Sequence, residues 1–167
     1  SREFPRLKTF STLSPLPGFL PWLRKRLDRE SGLLLSGEGK KIRKLADGME
    51  PGKWLGAVLE KGEWPGEEEV RDLLEPILLR LATRYLLEEK RPEGGALDPV
   101  AHFHLSNGAR VERLNWLGDS SPRGMAQSCG VMVNYLYDTR QIEQNHEAYR
   151  GRGRVIASSG VKGLLKG

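Results

Sequence analysis

A single domain of mixed class, α/β or α+β, is what this 167-residue sequence predicts. Three observations predict it. Residues 8 to 13, "KTFSTL", are a short β-prone run ending just before Ser14-Pro15. Residues 66 to 90, "GEEEVRDLLEPILLRLATRYLLEEK", repeat apolar side chains every three or four positions, the period of an amphipathic helix. Residues 100 to 117, "VAHFHLSNGARVERLNWL", place Asn107-Gly108 between two β-prone runs, the signal of a hairpin. Helical and strand periods thus share one chain, without repeats or a low-complexity linker.

The first strand is expected over residues 8 to 13. Pro15 biases Ser14 away from helical backbone, and Pro17 does the same to Leu16, so the chain stays extended until Gly18. "GFLPWLRKRLDRES" then reads as a helix with Phe19, Leu20, Leu23 and Leu27 on one face. Residues 30 to 55 mix Gly-rich turns with one amphipathic piece, 42 to 46, and a short helix is expected over 53 to 61. In the long helix Val70, Leu73, Leu74, Ile77, Leu78, Leu81, Ala82 and Tyr85 form the apolar stripe. Glu67, Glu68 and Glu69 suit the positive end of its dipole, and Pro76 should kink or split it.

In the first hairpin strand Ala101, Phe103 and Leu105 share one face, His102 and His104 the other. Ser121-Pro122 reads as an N-cap followed by proline at the first helical position. That helix is expected to run on towards "NYLYD", weakened by Gly124 and Gly130 unless something packs closely there. A helix over about 139 to 150, a short strand "RVIASS" and a last helical turn or two complete the chain.

Hydrophobic content of 38% with 29% charged residues excludes a disordered polypeptide. Apolar runs are only a few residues long, which excludes a bilayer-spanning helix from the sequence pattern. The first residues, "SREFPRLKTF", have no apolar h-region and no Met, so a secretory address is not expected and the chain reads as processed or partial. Cys129 is the one cysteine, so no internal disulfide is expected and a reducing compartment suits the chain. The net charge of +5 favours an anionic partner or serves solubility alone. Basic clusters at 24–26, 40–44 and 150–154 lack the interleaved aromatics that stack on bases, a weak nucleic-acid signature.

The reactive inventory is small. His102 and His104, two apart on one strand face, offer two metal ligands, but neither a Cys pair nor an HxxxH spacing supplies the others. HExxH, GxSxG and GxxxxGK[ST] patterns are missing. Ser14, stiffened by its prolines, and His104 form a candidate nucleophile–base or donor–acceptor pair; a turn serine and a core histidine are the plainer alternative. Tyr135 and Tyr137, read as lying near a helix end, point to different faces. Asn115 and Trp116, at the end of the second hairpin strand, are weak pocket candidates.

Three motifs together carry more. "TFSTLSPLPGF", "DPVAHFHLSNGARVERLNWLGDSSPRGMAQSCGVMVNYLYD" and "NHEAY" resemble, in order, the C-terminal part of malonyl-CoA decarboxylase. The resemblance is strongest over residues 8 to 23 and 94 to 150 and vague between about 28 and 65. It implies part of a Gcn5-related N-acetyltransferase-like (GNAT-like) fold, a mixed sheet flanked by helices, and a carboxy-lyase turning malonyl-CoA into acetyl-CoA and carbon dioxide without metal or organic cofactor. The family's catalytic serine, directly before Pro-x-Pro-Gly-Phe, matches Ser14. Its catalytic histidine matches His104 rather than His102. A tyrosine lining its active site matches Tyr137. On that reading Ser14 orients the malonyl carboxylate and His104 protonates the enolate.

The resemblance also implies limits. The family's diphosphate-binding loop and helical domain would lie upstream of "REFP", so residues 1 to 167 are expected to be the C-terminal portion of a catalytic domain, not active alone. The complete enzyme is expected to be a homo-oligomer acting on malonyl-CoA, with neither nucleic acid nor membrane as partner. The final "LLKG" lacks a Ser-Lys-Leu address, leaving a cytoplasmic location as the default. An acyl-CoA-dependent acyltransferase on the same fold, and a basic nucleic-acid-binding module, are the alternatives.

Overall fold

Several elements begin or end on a local chemical signal. The computed structural model describes residues 8–30 and 32–167; the opening residues 1–7 with "REFP", and Ser31 at the end of the first expected helix, lie outside them. Strand β1, Thr9–Pro15, runs two residues further than its β-prone stretch, through Ser14. Helix α1, Phe19–Arg29, starts after Gly18 and buries Phe19, Leu20, Trp22 and Leu23, with Leu27 partly buried against the core. Helix α2, Ser36–Arg43, starts well before the amphipathic piece read at 42 to 46. Helix α3, Pro51–Lys61, has Glu50 accepting from the amides of Gly52 and Lys53, proline at its first turn and Gly62 at φ 74° beyond its end.

Helix α4, Glu68–Glu88, runs unbroken through Pro76, so of the expected kink or split the split does not occur. Pro76 and Asp72, four residues back, are both exposed, so the Asp72 carbonyl that the proline leaves without a donor lies on the exposed face of the helix.

Two stretches exchange their expected class. Residues 99 to 106 are helix α5, Pro99–Ser106, not a hairpin strand. Buried Asp98 caps it, Oδ2 accepting from the amides of Val100 and Ala101 at 3.1 and 3.0 Å, and Pro99 supplies the first turn. Asn107 is the C-cap and Gly108 follows at φ 88°, so the Asn-Gly pair ends a helix instead of turning a hairpin. Strand β2, Arg110–Asn115, comes next. Helix α6, Pro122–Ser128, has its expected cap, Ser121 Oγ accepting from Gly124 N. A Cβ at Gly124 would collide with Asp119, which is the close packing that justifies the glycine. The helix stops where Cys129 and Gly130 take positive φ, 51° and 79°, and "MVNYLYD" is strand β3, Met132–Asp138. Helices α7, Ile142–Arg152, and α8, Ser159–Gly163, follow. "RVIASS" forms only a single parallel bridge, Val111 to Ala157.

The three strands form one antiparallel sheet in the order β1-β3-β2. In its register Phe10 faces Tyr137, Thr12 faces Tyr135 and Ser14 faces Val133. Directly opposed residues share a face, so Phe10, Thr12, Ser14, Val133, Tyr135 and Tyr137 line one side of the sheet. Helix α5 lies against that side, His104 stacking on Tyr135 with ring centroids 4.4 Å apart. Among the described residues no helix is long and apolar enough to cross a membrane.

Asp98 ties these parts together. Its Oδ1 accepts from Gly18 N at 3.3 Å and from the Tyr85 hydroxyl of α4 at 3.0 Å. A Cβ at Gly18 would collide with that hydroxyl. Burial pushes the Asp98 carboxyl above its ordinary range, against the pull of the four bonds it accepts. Replacing Asp98 with alanine orphans several buried donors, and we expect a loss of about 3–5 kcal/mol in urea unfolding. Asp98→Asn retains one carbonyl acceptor and should lose clearly less. Equal stability of wild type and the alanine variant would disprove this anchoring role.

Candidate functional site

Ser14 and His104 are 90 positions apart in the chain and in hydrogen-bond contact in the fold. Ser14 Oγ lies 3.1 Å from His104 Nε2. Beyond the ring, His104 Nδ1 lies 2.6 Å from the Tyr137 hydroxyl. Beyond the serine, Ser14 Oγ lies 3.3 Å from Thr12 Oγ1. Four groups from β1, α5 and β3 thus form one line: Tyr137, His104, Ser14, Thr12. Ser14, His104 and Tyr137 are all nearly buried.

Local chemistry explains each placement. Pro15 and Pro17 hold the backbone after Ser14 extended, and Leu16 N donates to Ser128 Oγ of α6 at 3.1 Å. That bond clamps the segment before it turns into α1. β1 is an edge strand among the described residues, which is where a proline such as Pro15 is tolerated. His104 is aimed by packing: Tyr135 stacks on one face and Phe103 meets the ring edge-on at 5.2 Å. Phe10 stacks on Tyr137 at 4.8 Å with planes 6° apart, fixing the phenol from the neighbouring strand.

The strand assignment changes the roles of the two tyrosines. On a helix Tyr135 and Tyr137 would diverge; on β3 they share a face, and both touch His104. The reverse holds for the histidines. On the helix His102 points away from His104, and its Nδ1 lies 2.6 Å from the Tyr149 hydroxyl. The metal-ligand pairing drawn from a shared strand face has no geometry to support it. No group of three or more His, Cys, Asp or Glu side chains among the described residues is placed to hold a metal ion. Asn115 and Trp116 stay apart from this line: Asn115 donates to Asn134 Oδ1, and Trp116 packs on Trp64.

Sequence reading passed over two contributors, Thr12 and Asp98, and set a third, Tyr135, on the wrong kind of element. Thr12 was legible, two residues before Ser14 and hence on the same strand face. Asp98 was legible as the cap before Pro99. Tyr135 was hidden by the helical reading of its strand.

Burial alone holds the His104 imidazole below its ordinary value of 6.5, and burial raises the Tyr137 and Tyr135 phenols. The Tyr135 hydroxyl is buried without a hydrogen-bond partner among the described residues. His104 has a hydroxyl at each nitrogen and, among the described residues, no carboxylate bonded to it. It therefore rests neutral at neutral pH, with one ring hydrogen to give and one nitrogen to accept.

The chain matches the family model described as malonyl-CoA decarboxylase C-terminal domain over residues 1–167. It is 41% identical over 170 residues to "Malonyl-CoA decarboxylase, mitochondrial" of Rattus norvegicus, covering 98% of this chain and 34% of that protein. The protein of that name from Anser anser anser is 40% identical over 167 residues, covering 96% of this chain and 32% of its own length. The crystal structure of malonyl-CoA decarboxylase from Agrobacterium vitis superposes with a TM-score of 0.81 at 46% identity, over 98% of this chain and 37% of that one. The chain therefore spans about a third of the length of the curated relatives it matches. Their mitochondrial names overturn the cytoplasmic location expected above. That default rested on the lack of an address, and so on no residue at all.

A neutral buried His104 carries a sign for pH. The unfolded chain takes a proton there near pH 6.5, and the folded site only at lower pH. The contribution to stability is complete above pH 6.5 and is lost as pH falls from there through the lower folded value. Titration of the His104 ring by NMR should give a midpoint below 6.5, and His104→Gln should flatten the dependence of urea stability on pH in that window. A midpoint at or above 6.5 would contradict the account.

Proposed function

Since the chain belongs to the malonyl-CoA decarboxylase family, we propose that it is the C-terminal portion of a catalytic domain that converts malonyl-CoA into acetyl-CoA and carbon dioxide. What carries the reading is the 3.1 Å contact between Ser14 Oγ and His104 Nε2 in the family's motifs.

The reaction breaks the bond between the α-carbon and the carboxylate. Carbon dioxide leaves, and the electron pair moves into the thioester as an enolate. The α-carbon then takes one proton, so malonyl-CoA plus a proton gives acetyl-CoA and carbon dioxide. The bond must stand roughly perpendicular to the thioester plane for its electrons to enter the π system, and a donor that orients the carboxylate supplies that condition. Ser14 is that donor: its hydroxyl bonds the malonyl carboxylate, and its stiff backbone limits the ordering required. His104 is the general acid, delivering the Nε2 hydrogen to the α-carbon. Tyr137, at Nδ1, passes its hydrogen to the ring as Nε2 gives its own up, so the ring stays neutral; after turnover solvent returns a proton to Nε2 and the Nδ1 hydrogen goes back to the tyrosinate. A nearly dry site favours loss of the carboxylate's charge. The steps call on neither a metal nor an organic cofactor.

In this proposal the chain depends on the rest of the enzyme for its CoA contacts and is inactive by itself. The complete enzyme assembles as a homo-oligomer, a point that rests on the resemblance alone.

The complete enzyme carrying this chain should release carbon dioxide from malonyl-CoA. His104→Ala should lower kcat about 100-fold or more, the usual share of a positioned general acid, and Tyr137→Phe about tenfold. Release of carbon dioxide at the wild-type rate by His104→Ala, or transfer of the acyl group to an amine with no carbon dioxide formed, would refute the proposal.

A further inference from the structure

Which nitrogen of His104 carries the hydrogen decides whether the ring can act as an acid towards Ser14. A neutral imidazole has one N–H, and Nε2 is the nitrogen facing Ser14. Four groups lie in line, and each can pass one hydrogen along it. The line has two consistent directions. In one, Tyr137 donates to Nδ1, Nε2–H donates to Ser14, and Ser14 donates to Thr12. In the other, every bond is reversed, and Nε2 is left bare. Only the first leaves the acid proton where the chemistry needs it.

At one end Tyr137 sets the direction, because its nearly buried hydroxyl has His104 Nδ1 as its partner at 2.6 Å. At the other end stands Thr12, on the same face of β1 as Ser14, with its Oγ1 3.3 Å from Ser14 Oγ. We propose that Thr12 is a positioning residue: by accepting the Ser14 hydrogen it keeps the serine oxygen free to accept from Nε2–H, and so holds His104 in its acid-competent tautomer before substrate arrives. This inference rests on the role assigned to His104 above.

Without the Thr12 hydroxyl, the nearest acceptor left for the Ser14 hydrogen is Nε2 itself. Taking it moves the ring hydrogen to Nδ1, where it points at Tyr137. A substrate carboxylate, accepting from Ser14, restores the working direction, but part of its binding energy is then used to turn the line around. The effect therefore falls on the fraction of enzyme competent to bind, not on the chemical step. The 3.3 Å separation is long for two hydroxyls, so Thr12 biases the direction and does not lock it, and the effect is modest.

Thr12→Val keeps the shape and the β preference of the residue and removes the hydroxyl; Thr12→Ser keeps the hydroxyl. In the complete enzyme, we expect Thr12→Val to raise KM for malonyl-CoA about three- to tenfold with kcat within about twofold of wild type, and Thr12→Ser to restore KM. Independently of activity, long-range proton–nitrogen NMR of the imidazoles, with His104 assigned by its loss in His104→Gln, should show the Nε2–H form in wild type and Thr12→Ser. It should show a shift towards Nδ1–H in Thr12→Val. An unchanged tautomer in Thr12→Val, or equal impairment of the serine and valine variants, overturns the proposal. If the wild-type enzyme releases no carbon dioxide, the decarboxylase reading fails by itself, and the tautomer measurement still decides the role of Thr12.

Discussion

One buried carboxylate holds the two halves of the site at a working distance. Asp98 starts the helix that carries His104 and, through its other oxygen, accepts from Gly18, which ends the Ser-Pro-Leu-Pro-Gly segment that carries Ser14. The Tyr85 hydroxyl adds α4, the longest helix, to the same oxygen. Segments far apart in sequence thus share one acceptor. A carboxylate away from water is costly unless its lone pairs are filled, and Asp98 is held by four donors from three separate elements. Few arrangements can fill them all, so the same requirement that makes the residue expensive also specifies how β1, α4 and α5 meet.

The sheet adds a second constraint, on sidedness. Because side chains alternate along a strand, a slip of one residue between β1 and β3 would turn Ser14, Thr12 and Phe10 to the opposite face and leave His104 without its serine. The stacking of Phe10 on Tyr137 and the clamp from Ser128 to Leu16 both act against such a slip.

Much of this was legible before the fold was known, and the misreadings have one source. β1, α1, α3 and α4 followed from turn residues, caps and period, and Ser14 stood out because two prolines restrict it. The stretch 99 to 106 misled because Val100, Phe103 and Leu105 suggest a strand and Asn-Gly a hairpin. The deciding signal was non-periodic: an Asp-Pro start, which an aspartate buried among Gly18, Tyr85 and the helix amides makes decisive. Residues 132 to 138 misled in the opposite sense. A good N-cap at Ser121 invited a long helix, but Cys129 and Gly130 end it in left-handed backbone, which local preference does not announce for a cysteine. The two errors mattered chemically because an i, i+2 pair diverges on a helix and converges on a strand. Correcting both separates His102 from His104 and brings Tyr135 and Tyr137 together on one ring.

The resulting surroundings of His104 differ from those of an imidazole poised by a carboxylate. A charged partner would stabilise the imidazolium and raise its pKa; here the neighbours are hydroxyls and aromatic faces, and burial favours the neutral ring. In the role proposed for His104, delivery of a proton, a weakly basic neutral ring is useful only if its hydrogen lies on the correct nitrogen. Among the described residues no charged side chain bonds either nitrogen, so no ion pair chooses between them. Only the donor–acceptor order of the groups on each side does. On the proposed mechanism the direction of a chain of neutral hydrogen bonds takes over the task that an ion pair performs elsewhere, and hydroxyls that never meet the reacting carbon serve the acid.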